Sequence, residues 1–158
     1  MDKAIKEDLA RVPKLKIPRY LHTSPESLNV IIHGFSDASP KAYGACIYLV
    51  NENKSSVCSL LVCSKSRIAP IKPVSLPRLE LCAAVLLSDL MKNIINSLRT
   101  NISEGHLWTD ACITLSWLDS SPEKWNPFVS NRTQKIHENT GIYNENWHYV
   151  PQNKIQPI

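Results

Sequence analysis

Three acidic residues carry the chemistry most legible in this chain. Asp37 closes the run Ile31-Ile32-His33-Gly34-Phe35-Ser36-Asp37-Ala38-Ser39. Glu80 sits in Leu76-Pro77-Arg78-Leu79-Glu80-Leu81, at the start of a long apolar helix, and Asp110 in His106-Leu107-Trp108-Thr109-Asp110-Ala111, at the hinge between a short strand and a helix. Carboxylates at two strand ends and one helix start can converge to hold hard divalent cations. Mg²⁺ prefers carboxylate oxygens and keeps several waters. Two such ions about 3.5–4 Å apart can hold both oxygens of an in-line phosphoryl displacement. Each acid also has a plain structural role: Asp37 as a turn aspartate, Glu80 as a first-turn complement to the helix dipole, Asp110 as an N-cap. Their combination and order set them apart from three unrelated structural acids.

The elements that must position them follow from periodicity and punctuation. Residues 28–36 form an apolar run rich in Ile and Val, read as a buried strand. A second strand covers 42–50, with Gly44 allowing close approach of a neighbour. A turn at 51–54 leads to a third strand over 56–64, and short connections make the three an antiparallel meander. Residues 65–75 read as a proline-bearing basic loop. A helix begins at Pro77, in a permitted first-turn position. In it Leu79, Cys82, Ala83, Leu86, Leu90, Ile94 and Leu98 recur at spacings of three and four, a core-facing stripe. A strand over 102–109, a helix over 111–118, a loop to 127, a helix over 128–139 with Phe128, Arg132 and Ile136 on one side, and a strand over 146–150 complete the order β-β-β-α-β-α-α-β. That order argues an α/β fold with a five-stranded mixed sheet and helices on its face.

Composition bounds the rest. The chain has 158 residues, enough for one domain with a real core. A net charge of +4, from 18 basic and 14 acidic residues, hints mildly at an anionic partner. Residues 65–79 carry Lys65, Arg67, Lys72 and Arg78 without an acid, so this stretch is a candidate for tracking phosphates, against the plainer reading of a solvated loop. Trp125, in a polar loop, is the aromatic candidate for a sugar or base contact, whereas Trp108 and Trp117 read as core and His148 as structural. Five cysteines without tight pairing read as reduced and mostly buried. No run of 18 apolar residues and no apolar leader are present, so neither a membrane span nor secretion is expected, and the chain reads as intracellular, cytoplasmic or nuclear. Residues 1–27, punctuated by Pro13, Pro18 and Pro25, read as a connector or loose arm, 28–151 as the domain, and 152–158 as a tail.

The motifs together resemble the ribonuclease H domain of BEL/Pao-type retrotransposon polyproteins. The resemblance runs from about Ile17 to Pro151. It is carried by His33 to Ser39, Ala42-Tyr43-Gly44-Ala45, Ser64-Lys65-Ser66-Arg67-Ile68-Ala69-Pro70, Leu76 to Leu81, Trp108-Thr109-Asp110, Trp125-Asn126-Pro127-Phe128-Val129-Ser130-Asn131-Arg132 and Trp147-His148-Tyr149-Val150-Pro151. It implies a ribonuclease H-like fold and Mg²⁺-dependent hydrolysis of the RNA strand of an RNA–DNA hybrid. In an intact element, reverse transcriptase and integrase regions of the same polyprotein would be partners. Asp37, Glu80 and Asp110 match three of the four family carboxylates, as catalytic and metal-binding residues. The fourth belongs to an Ala-Asp segment opening a final helix that covers one face of the sheet. Here Gln152-Asn153-Lys154-Ile155-Gln156-Pro157-Ile158 follows the last strand, and no acid follows Glu145. The expectation is therefore a truncated tail, a missing final helix, an uncovered sheet face, and cleavage weakened or lost. A non-catalytic nucleic-acid-binding remnant is the alternative. A peptidase label also attaches to this part of the Pao polyprotein. An aspartic peptidase needs two aspartates sharing a proton, usually in Asp-Thr/Ser-Gly loops, and Asp37-Ala38-Ser39 and Asp110-Ala111-Cys112 lack the glycine.

Overall fold

The structure, a computed structural model, describes residues 29–53, 56–98, 102–141 and 144–151. The expected arm at 1–27 and the tail at 152–158 lie outside the described residues. Among the described residues five strands and three α-helices follow in chain order, with a short 3-10 turn at Pro122–Lys124: β1 (Asn29–Ala38), β2 (Ala42–Asn53), β3 (Ser56–Ile68), α1 (Leu76–Ser97), β4 (Glu104–Thr109), α2 (Cys112–Leu118), α3 (Pro127–Thr140) and β5 (Trp147–Tyr149). The sheet order is β3-β2-β1-β4-β5, with β1, β2 and β3 antiparallel and β4 and β5 parallel to β1. The expected mixed sheet and element order are what the chain adopts.

The meander is longer than its apolar runs suggested. Asn51 to Asn53 continue β2 rather than turning, and Lys65 to Ile68 continue β3 rather than opening a loop. The reason is pairing: Lys65 opposes Ala45 and Arg67 opposes Tyr43, so backbone ladder bonds extend the strand through polar side chains. Apolar runs mark where a strand is buried, not where its hydrogen bonding stops. A register shift at Ile47/Tyr48 accommodates one extra residue in β3.

One face of the sheet is sealed by α1. Val30, Ile32, Ala45, Ile47, Leu49 and Leu107 pack there with Leu86, Leu87 and Met91 of the helix. A side chain such as Leu87, fully buried, contributes about 1.5–3 kcal/mol on this account. The close approach that was expected at Gly44 occurs at Gly34 instead. A Cβ there would lie 2.6 Å from Leu87 Cδ1 and 3.0 Å from Leu107 Cδ2, whereas at Gly44 the nearest atom stands 3.4 Å away. Helix α1 is buried on more than the expected stripe. Leu81 and Ala84 face a second cluster with Trp117, Leu118, Val129 and Ile136, contributed by α2 and α3. A helix held between a sheet and another helix needs two apolar faces, and a single 3.6-residue stripe describes only one.

Helix α3 begins at Pro127 because Asn126 caps it, its side-chain oxygen accepting from the Phe128 and Val129 N–H groups at 3.1 and 3.3 Å. Its buried residues are Val129, Thr133, Ile136 and Thr140, while Phe128 and Arg132 meet beside them at the rim of the packed face, the guanidinium 3.5 Å from the ring centre. The two threonines bury by bonding their hydroxyls to carbonyls one turn back, at 3.1 Å to Val129 and 2.9 Å to Ile136. Across the α1–α3 seam, Lys135 reaches Asp89 at 2.9 Å and Asn139 bridges Ser88 and Asp89.

The other sheet face is drawn from the alternate residues. His33 and Phe35 of β1, Tyr48 of β2, His106 and Trp108 of β4 and His148 of β5 stand half-exposed there, and none joins the apolar clusters. Trp108 is therefore not core as expected. Leu107 turns inward, so strand alternation turns Trp108 outward, in register with Phe35. Among the described residues, β5 is the last element, and no helix is long and apolar enough to cross a membrane. The cysteines are free, but Cys58 and Cys112 are exposed and the other three half-buried, so the expectation of mostly buried thiols does not hold.

Candidate metal centre

The parallel pairing of β1 and β4 builds the site. Ser36 is registered with Thr109, so the next residues, Asp37 and Asp110, stand side by side at the carboxyl ends of neighbouring strands. Such ends are where parallel sheets place ligands. Thr109 is buried. Its hydroxyl accepts from the Ala111 N–H at 3.2 Å and its carbonyl from the Val150 N–H at 3.0 Å, which fixes the turn that presents Asp110. Ala111 holds the N-cap position of α2, so Asp110 is one residue ahead of the cap and not the cap itself.

Glu80 comes from the helix. Because α1 starts at Leu76, Glu80 lies past the first turn, a correction to its expected place, and no acid occupies that turn. Its position on the packed face of α1, one residue after Leu79 and one before Leu81, buries it to 6% exposure. Its Oε2 is buried without a hydrogen-bond partner. Burial, then the charges of Asp110 and Asp37, push its carboxyl from 4.5 up to about 8, while a backbone hydrogen bond from Ala38 opposes the rise.

One ligand oxygen from each of Asp37, Glu80 and Asp110 falls within 4.8 Å of the others. Asp37 is exposed, Asp110 half-exposed and Glu80 buried, so the cluster opens to solvent on one side. A cleft of about 340 Å³ leads to it, lined by Leu76, Pro77, Glu80, Asp110, Ala111, Ile113 and Tyr149. Three hard oxygens, one an orphaned buried acceptor and all mutually repelling, suit Mg²⁺ by donor type. A divalent ion there would offset the repulsion that raises Glu80.

The basic and aromatic candidates are dispersed by comparison. Lys65 lines the groove beside Asp37 with Ser39, Gly44 and Ser66. Arg67 lies instead in a small cleft with Tyr43, Asp89 and Arg132. Lys72 is exposed in the connection before α1. Arg78 lies 4.9 Å from the Phe128 ring centre, and Arg132 lies 3.5 Å from it. Trp125 is not displayed as a platform: it packs edge-on to Trp117 with ring centres 6.3 Å apart, in the cluster between the helices. Its flanking polar residues concealed that packing. Tyr149, 49% exposed at the mouth of the acidic cleft, was not singled out, and only strand alternation past His148 signals it.

Comparison with known proteins agrees with this geometry. The sheet and helices define a ribonuclease H-like fold. LC11-RNase H1, isolated from compost and solved in complex with an RNA/DNA hybrid, superposes with a TM-score of 0.50 at 12% identity, covering 80% of this chain and 88% of that one. The N-terminal RNase H domain from Mycobacterium tuberculosis gives a TM-score of 0.48 at 12% identity, covering 81% and 86%. RNase H1 from Halobacterium salinarum gives 0.45 at 11%, covering 79% and 87%. A comparison with curated protein sequences gives no match. The family model for the Pao retrotransposon-like RNaseH-like domain matches residues 2–111, and the chain belongs to that family. The match takes in all three carboxylates and stops at Ala111, short of the Trp125 and Trp147 motifs.

Proposed function

We propose that this domain is a ribonuclease H-type nuclease that uses divalent cations, Mg²⁺ first, to hydrolyse the RNA strand of RNA–DNA hybrids, at reduced turnover. The observation that carries this reading is the meeting of Asp37, Glu80 and Asp110 oxygens within 4.8 Å at the carboxyl ends of β1 and β4. Asp37, Glu80 and Asp110 would hold the ions. Mg²⁺, when bound, supplies an acidified water and counter-charge for the leaving oxygen. Glu80, nearly buried on the packed face of α1, fixes the inner wall of the site, while exposed Asp37 and half-exposed Asp110 face the incoming phosphodiester. Lys65 beside Asp37 is placed to meet a neighbouring phosphate. The ribonuclease H-like domains this chain resembles hold their ions with four carboxylates, and the described residues bring together three. Looser positioning of reacting groups costs on the order of a hundredfold in rate.

The test is a hybrid-cleavage assay with Mg²⁺, comparing the chain with Asp37→Asn. Slow cleavage of the RNA strand, abolished by Asp37→Asn, is the expected outcome. Hybrid binding with no cleavage at any Mg²⁺ concentration would leave the non-catalytic binding module. Cleavage untouched by Asp37→Asn would remove these carboxylates from the chemistry.

A further inference from the structure

We propose that His106 and His148, on the open sheet face, form a two-imidazole site for a borderline divalent transition ion of the Zn²⁺ or Cu²⁺ class. The site is distinct from the carboxylate cluster and independent of the nuclease reading. Strands β4 and β5 are parallel, with Trp108 in register with His148. His106, two residues before Trp108, therefore shares its face and reaches His148 diagonally. His106 Nδ1 stands 3.1 Å from His148 Nε2. The other nitrogen of His106, Nε2, stands 3.2 Å from Glu104 Oε2.

That second contact decides the tautomer. A carboxylate accepts only, so in the neutral His106 ring Nε2 carries the proton and Nδ1 presents its lone pair toward His148. A carboxylate behind a histidine is also the arrangement that orients metal-ligating imidazoles. His148 Nε2 donates to His106 Nδ1 in the ion-free chain. Moving its proton to its own Nδ1 frees the second lone pair without changing the charge of either ring. With metal–nitrogen bonds of about 2.0–2.1 Å, the 3.1 Å separation subtends about 95–102° at the ion. This lies between tetragonal and tetrahedral values, the range Cu²⁺ and Zn²⁺ occupy. Small rotations of two half-exposed rings turn the lone pairs onto one point, and solvent fills the open positions.

The surroundings of His148 favour its neutral ring. Burial, then the nearby His106, hold His148 below the ordinary histidine range. His33 stacks against His106 at 5.3 Å between ring centres. Its Nδ1 accepts from Trp108 Nε1 at 3.2 Å, which leaves the proton on Nε2, so His33 supports the pair rather than ligating. The donor chemistry also separates the two sites: imidazole nitrogen selects Zn²⁺ and Cu²⁺, carboxylate oxygen selects Mg²⁺.

The experiment is a Zn²⁺ titration of the whole chain at neutral pH. Affinity is read by competition with a chromophoric chelator and ligation by nitrogen NMR of the imidazoles. Zn²⁺ is expected to shift the His106 Nδ1 and His148 Nε2 resonances together. Affinity at this site is expected to fall at least about tenfold in His148→Gln and about tenfold in Glu104→Gln, with Asp37→Asn unchanged. Imidazole resonances that stay fixed at saturating Zn²⁺ would overturn the proposal, whatever the cysteines bind. So would a folded His148→Gln chain with the parent's affinity. If that variant does not fold, the parent spectrum alone decides.

Discussion

On one face of the sheet Val30, Ile32, Ile47, Leu49 and Leu107 are packed beneath α1; on the other, supplied by the residues between them, His33, Phe35, Tyr48, His106 and Trp108 stand half-exposed. The backbone is common to both, and alternation alone separates them. The sealed face has a glycine where the helix comes closest, and a Cβ at Gly34 would lie 2.6 Å from Leu87 Cδ1. The open face has rings in stacked and edge contacts, with Phe35 and Trp108 centres 6.2 Å apart and Phe35 and Tyr48 centres 6.0 Å apart. The difference assigns stability to the first face and leaves the second, with the strand ends beside it, free for chemistry.

The largest expected effect sharpens that division. Leu87→Ala leaves a cavity under the sheet and should cost about 2–5 kcal/mol, whereas Phe35→Ala on the open face should cost no more than about 1 kcal/mol. Urea denaturation of both variants, followed by circular dichroism, measures the contrast. Equal losses would make the open face a second core and break the comparison.

The next effect lies where the two faces end. Glu80 titrates near 4.5 when unfolded and about 8 when folded. The folded chain therefore holds the proton more tightly than the unfolded one between these values. Without a divalent ion, Glu80 costs nothing below about pH 4.5, and stability falls as pH rises toward 8. Its full charge penalty is reached above that. At pH 7 the cost is on the order of 3 kcal/mol, at 1.36 kcal/mol per pKa unit. Glu80→Gln should flatten this part of the stability profile and raise stability at pH 8. A parent profile that rises from pH 5 to 8, with Glu80→Gln no more stable, would contradict the burial of that carboxylate.

The acids and the sheet were readable in the sequence. The three acids came from their places at element ends, and the mixed sheet from a three-strand meander followed by alternating helices and strands. Less was legible wherever a polar residue took part in regular structure. Lys65 and Arg67 extend β3 through backbone pairing that side-chain polarity hides. Thr133 and Thr140 bury themselves by returning their hydroxyls to the helix. Trp125 looked displayed because Ser, Glu, Lys and Asn surround it, yet Trp117 receives it across two elements. Trp108 and His148 show the converse. Their strands were found, but which alternate residue faces the helix depends on where α1 packs, a tertiary fact that a short apolar run does not record.

Asp37, Glu80 and Asp110 are expected to bind a divalent ion as a unit. Calorimetric titration of Mg²⁺ at pH 7, in two buffers of different ionisation enthalpy, measures both binding and proton release. Because Glu80 is mostly protonated in the free folded chain at that pH, binding should expel about one proton per chain, less above pH 8. Asp37→Asn should weaken the binding, and Glu80→Gln should abolish the proton release. Heat independent of buffer, or a proton count unchanged in Glu80→Gln, would show that the ion binds elsewhere and contradict the proposed centre.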